Sequence, residues 1–154
     1  MQNVLMINMK NFKNYFEEKS VVGLIEHFDV DGVGKIPSKL DSGNGAFNVL
    51  HGEDIQEQGS KVVFKTVNNK RLTKDKIDNI TINVGAGNTE DRPVVEFDFK
   101  IGNKEFKNIP FSIGDRTSNI YKILVGKDFI ENQLDALIDV SAENIADKNI
   151  EAEI

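Results

Sequence analysis

The chain has no cysteine, so disulfide scaffolds, Cys-ligated zinc, iron–sulfur clusters and thiol catalysis are all excluded. Two histidines, His27 and His51, are too few for a metal site built on several imidazoles. Tryptophan is absent, and Phe, at ten residues, is the main aromatic. No apolar run approaches the length of a bilayer span. The stretch Val4 to Met9 is far too short, and it lacks the basic flank and cleavage site of a signal peptide. These features predict an intracellular, cytoplasmic protein with no membrane partner. The net charge is −6, and the second half of the chain carries the excess. An acidic chain repels phosphate backbones, which argues against nucleic acid as a partner.

What is present is a chain of 154 residues with 39% hydrophobic content, enough for one domain with a modest core. Phe12, Tyr15 and Phe16, with Leu5 and Met9 before them, predict a short amphipathic N-terminal helix. From Val21 onward the pattern is strand after strand. Val21 to Phe28 and Val33 to Leu40 flank the turn Asp29-Val30-Asp31-Gly32, and Pro37 places the second strand at an edge or bulge. Lys61 to Val67, Ile77 to Val84 and Val94 to Ile101 alternate apolar and polar residues. Gly102-Asn103 is a hairpin signal leading into Phe106 to Ile113. Phe129, Leu134, Leu137 and Ile138 predict a helix after Gly126, followed by an acidic tail. The sum is an all-β barrel or sandwich.

Several motifs fail on chemistry. Asp29-x-Asp31 imitates the start of a calcium loop, but Val33 and Leu40 stand where oxygen ligands are needed. Gly34-Lys35 lacks the first glycine and the hydroxyl of a phosphate loop. Gly43-x-Gly45 and Gly85-x-Gly87 lack the third glycine of a dinucleotide site. His51-Gly52-Glu53-Asp54 reads as a polar loop without co-ligands. No metal and no cofactor is expected.

One triplet remains, Asp41-Ser42-Gly43, directly after a strand. It is weak alone, because all three residues are common in turns. Its context strengthens it. Ile123-Leu124-Val125-Gly126 lies about 80 residues on, before the expected helix, and Gly85-Ala86-Gly87-Asn88 forms a small hairpin tip between them. These residues resemble the retropepsin-like aspartic proteases. Val22-Gly23-Leu24-Ile25-Glu26, Lys39-Leu40-Asp41-Ser42-Gly43, Leu50-His51, Arg92-Pro93-Val94-Val95, Asp115-Arg116 and Ile123 to Phe129 are similar to a bacterial branch often labelled an ATP-dependent zinc protease. With neither zinc ligands nor an ATP loop here, both halves of that label are set aside. The resemblance spans about residues 21–131. It departs at Ser42 for Thr, at Asn44 for Ala, at Gly45 to Asn48, and at Lys122 for Pro.

The resemblance implies a retropepsin-like closed barrel over residues 21–138, an N-terminal extension over 1–20 and an acidic tail over 139–154 that the barrel does not need. It implies a homodimeric aspartic endopeptidase. Two carboxyls sharing one proton can activate water, one as base and the other polarising the scissile carbonyl. One triplet per chain then requires Asp41 from each of two copies. Ser42 would hydrogen-bond across the two-fold axis, and Gly43 would offer its N–H to the carboxylate. Asn44 is a candidate donor to ionised Asp41. Gly85, Ala86 and Gly87 would close over a peptide or protein substrate, with Arg92 and Arg116 as substrate-binding cations. Because the branch is associated with enzymes that add glutamates to protein termini, an acidic tail is a candidate substrate. The alternative is an interaction or structural module of the same fold that is weakly active or inactive.

Overall fold

A computed structural model describes residues 20–153. The helix expected around Phe12 to Phe16 lies outside the described residues. Among the described residues there are eleven strands and one α-helix: β1 (Ser20–Val30), β2 (Gly34–Leu40), β3 (Asn48–His51), β4 (Glu53–Gln58), β5 (Lys61–Lys65), β6 (Arg71–Asp75), β7 (Asp78–Gly85), β8 (Asn88–Ile101), β9 (Lys104–Gly114), β10 (Ile123–Val125), β11 (Ala136–Glu143) and α1 (Ile145–Glu153). A π-helical turn covers Phe129–Leu134.

Eight strands make one sheet in the order β11-β1-β2-β10-β3-β9-β8-β7, and β1 also pairs with β8 through Phe28 and Ile101. That extra pairing closes six strands, β1-β2-β10-β3-β9-β8, into a barrel. Strands β4, β5 and β6 form a separate three-stranded sheet. The alternation seen in Val94 to Ile101 is obeyed: Val95, Phe97, Phe99 and Ile101 are buried, while Lys100 faces water. Their rings meet Phe28, Phe106, Phe111 and Phe129 in the interior. Phe28 and Phe99 stack at 4.7 Å, and Phe129 lies 5.4 Å from Phe99. With no tryptophan, phenylalanine supplies the aromatic part of the core, packed among buried Val, Ile and Leu. Among the described residues no helix is long and apolar enough to cross a membrane.

The structure departs from the sequence reading in four places. Pro37 is not on the edge of the sheet, since β2 lies between β1 and β10. Its missing N–H is harmless because β10 pairs with β2 only from Ser38 to Leu40. Strands β4 and β6 carry one aliphatic residue each, Ile55 and Leu72, too few to show alternation. His51 belongs to a strand and is buried, not part of an open polar loop. The helix after Gly126 stops at Leu134, where Asp135 takes a left-handed conformation (φ 49°), and Leu137 and Ile138 enter β11. That strand pairs in parallel with β1 from Ser20 opposite Ala136 onward, so it runs through the expected boundary between residues 138 and 139.

Candidate active site

Asp41 follows β2, and the chain needs seven residues before it re-enters the sheet as β3. β10 arrives much later in the sequence and inserts between these two strands, parallel to β2 and antiparallel to β3. The loop carrying Asp41-Ser42-Gly43 therefore wraps the end of a third strand. Three bonds tie it there. Asp41 donates its N–H to the Val125 carbonyl at 3.0 Å, Lys127 donates to the Asn44 carbonyl at 2.8 Å, and Gly126 donates to Asn48 Oδ1 at 2.7 Å. Gly126 is required by this crossing, because a Cβ there would lie 2.5 Å from the Ala46 carbonyl oxygen. Ile123 and Val125 are buried beneath the loop.

The Asp41 side chain is half-buried, and Ser42 and Gly43 are exposed. Gly43 donates its N–H to Asp41 Oδ1 at 2.9 Å, which fixes one carboxylate oxygen. Asn44 does not serve Asp41 with its side chain. Its Oδ1 accepts the Ala46 N–H at 3.1 Å and its Nδ2 donates to the Phe47 carbonyl at 3.4 Å; only its backbone N–H returns to the Asp41 carbonyl. The Asn44 side chain thus braces the loop internally.

Next to this loop lies a cleft of about 610 Å³. Gly45 to Asn48 form one wall and Ile80 to Ile82 of β7 the other, with Ile109, Pro110 and Phe129 at its floor. Asp41 itself is not on the lining. β7 continues past the cleft to a two-residue turn, Ala86-Gly87, where Gly85 pairs with Asn88. Ala86 and Gly87 both have positive φ (53° and 75°), as a tight hairpin turn of this hand demands. All four tip residues are exposed.

The two arginines lie elsewhere. β3 runs from Asn48, level with the Asp41 loop, to His51, which pairs with Gly114. Arg92 packs its guanidinium on Gly114, and a Cβ there would lie 2.6 Å from Cζ. Arg92 also meets Glu90 at 3.2 Å, while its buried Nε has no partner among the described residues. Arg116 donates its backbone N–H to His51 Nδ1 at 2.8 Å and its Nε to the Tyr121 carbonyl at 2.9 Å. Burial, then the charge of Arg92, lowers the Arg116 pKa from its ordinary value. His51 Nδ1 is an acceptor, so Nε2 carries the proton and donates to Glu53 Oε1 at 2.8 Å. That bond holds Glu53 below the usual carboxylate range. The structure thus brings Asp41, Ser42 and Gly43 together, sets Gly85, Ala86 and Gly87 at a separate hairpin tip, and puts Arg92 and Arg116 at the opposite end of β3, off the cleft lining.

Phe47, Asn48, Ile80 and Ile82, which line the cleft, are not among the site residues expected from the sequence, although the sequence marks Gly45 to Asn48 as an altered segment beside Asp41. The Ile80–Ile82 alternation was visible, but which of its faces meets a cleft is a tertiary fact. Among the described residues no group of three or more His, Asp or Glu side chains is placed to hold a metal ion.

No family model matches this chain, and no curated protein matches it. A solved structure does: that of a Legionella pneumophila protein of unknown function (DUF785). It is 20% identical, with a TM-score of 0.65 over 82% of this chain and 98% of that one. The likeness is one of fold.

Proposed function

We propose that this protein is a retropepsin-like aspartic endopeptidase that works as a homodimer, with one Asp41 from each copy. The observation that carries the reading is the strand crossing at Asp41. A half-buried carboxylate sits on a glycine-containing loop, fixed by its own Gly43 N–H and held from behind by β10 and Gly126. The cleft beside that loop and the glycine-tipped hairpin beyond it support an extended peptide as ligand, bound by backbone hydrogen bonds.

In this reading two Asp41 carboxyls share one proton across the dimer axis. The ionised carboxyl takes a proton from water, the water oxygen attacks the scissile carbonyl, and the protonated carboxyl donates to the carbonyl oxygen. Collapse of the tetrahedral intermediate returns a proton to the leaving amine. Ser42 bonds across the axis, and the Gly85-Ala86-Gly87 tip closes to exclude water. Arg92 and Arg116 form an anion contact away from the scissile bond, suited to an acidic substrate tail.

The test pairs peptide hydrolysis with light scattering. Wild-type protein should cleave a peptide library, and a statine-type mimic of the tetrahedral intermediate should block it. Asp41→Asn should remove turnover without changing mass or fold. Residual cleavage by a clean Asp41→Asn sample would end the aspartic mechanism, and a folded dimer that binds the mimic without turnover would favour the interaction module.

A further inference from the structure

Glu26 is a buried carboxylate, 1% exposed, which the proposed chemistry does not use. Among the described residues it has no cationic partner at salt-bridge distance. Instead three backbone N–H groups point at it: Gly23 at 2.7 Å, Ile145 at 3.0 Å and Ala146 at 3.1 Å. Two of these are at the first turn of α1, whose N–H groups have no partner within the helix. Glu26 therefore caps a helix that lies about 120 residues away in sequence.

The same short segment of β1 makes room for the strand before that helix. A Cβ on Gly23 would run into the Ala142 carbonyl oxygen, so glycine is what admits β11 to this edge. The register of β1 against β11 breaks just here, between Gly23 and Ile25. Asn144, at φ 56°, turns the chain from β11 into α1 and donates its N–H to the Ile25 carbonyl at 2.9 Å. Its side chain meets His27 Nδ1. Around the rim, Asp147 of α1 faces Lys35 of β2 at 3.0 Å and His27 at 4.0 Å. Ala146 sits on Gly102, in the turn between β8 and β9.

We propose that Gly23 and Glu26 form a latch that clamps the C-terminal segment, residues 136–150, onto the edge of the barrel, and that this segment opens as a unit while the barrel stays closed. The energetic reason is the placement of the bonds. β11 is an edge strand and contributes only Ile138 and Ala136 to the apolar cluster, whereas β8 and β9 contribute most of the phenylalanines. The docking of the segment thus leans on polar contacts, namely strand pairing with β1, the Asn144 N–H, the Asp147 rim contacts and the buried Glu26 cap. β2 joins β1 only from Ile25, so release leaves Ser20 to Gly23 as an unpaired strand edge, able to accept an extended chain.

Hydrogen exchange on the full-length protein tests this. In the wild type, amides of 136–150 should exchange together and faster than those of Val95, Phe97 and Phe111. Glu26→Gln keeps the shape but sets an amide NH2 against one of the donors. It should speed exchange at Asn144, Ile145, Ala146 and along β11 by about 10- to 100-fold, leaving β8 and β9 unchanged. Asp147→Ala, which removes only the rim contacts, should speed the same amides by about threefold and keeps the test open should Glu26→Gln not fold. Exchange of the segment and the barrel at one common rate in the wild type would overturn the proposal, as would unaltered exchange at residues 144–146 in Glu26→Gln.

Discussion

Replacing Gly126 by Ala adds one methyl group at the point where the Asp41 loop crosses β10. The new Cβ would lie 2.5 Å from the Ala46 carbonyl oxygen, 3.3 Å from the Asn44 carbonyl oxygen and 3.5 Å from Asn44 Nδ2. Ordinary contact begins near 3.4 Å, so the loop must retreat by close to an ångström. The obstruction is backbone, which cannot swing aside as a side-chain end would. Retreat stretches two bonds at once, Gly126 N–H to Asn48 Oδ1 (2.7 Å) and Lys127 N–H to the Asn44 carbonyl (2.8 Å). Each such bond contributes about 1 kcal/mol, and leaving the buried Asn48 oxygen unpaired adds about 1–3 kcal/mol. The expected loss is about 3–5 kcal/mol, or about 6–20 °C in Tm for a domain of this size. Gly45→Ala is the matched control in the same loop. Nothing lies within 4 Å of its Cβ, so its stability should stay the same or rise by about 0.5 kcal/mol. Urea denaturation of both variants gives the comparison directly. In the protease reading Gly126→Ala should also lose most Asp41-dependent hydrolysis, because the carboxylate moves with its loop. Equal stability of the two variants, within about 0.5 kcal/mol, would refute the argument that the crossing holds the loop.

Phe99→Ala should cost about 3–5 kcal/mol in chemical denaturation, since the ring packs on Phe28, Phe106, Phe111 and Phe129 and the cavity it leaves is walled by strands on both sides. A stop after Asp139 removes the Ile145 and Ala146 donors and leaves Glu26 with a single partner in the apolar edge; lowered Tm with loss of β1 protection is the expected result, and a fully stable truncated barrel would contradict it. Ala86→Gly relieves a left-handed alanine at the hairpin tip and should raise stability by about 0.5–1 kcal/mol in the same assay. The carboxyl pKa of Glu53 is lowered by the His51 hydrogen bond, and that of Asp115 by Thr117. A depressed folded pKa stabilises above the ordinary carboxylate value and loses that contribution as the pH falls through the lower one. Denaturation from pH 6 down to about pH 3 should therefore show falling stability, and Glu53→Gln should flatten part of that slope.

The barrel strands and their turns were legible because their signals are local. Alternation in Val94 to Ile101, the Gly102-Asn103 turn and the Asp-Gly chemistry after β1 each lie within a few residues. Asp41-Ser42-Gly43 was legible as a triplet for the same reason. Strands β4 and β6 were not, since a strand with one aliphatic residue is specified by its neighbours and not by its own pattern. Nor was β11, whose residues could as well have continued the helix; parallel pairing with β1 and the left-handed Asp135 decided the matter. The sequence by itself determined a β-rich chain, a phenylalanine core and a carboxylate on a tight loop. Tertiary structure alone decided what holds that loop and what closes the barrel edge. Asn48 reaches Gly126 across 78 residues, and Glu26 reaches Ala146 across 120. No local pattern encodes such bonds, because a buried oxygen takes whichever N–H the fold delivers to it.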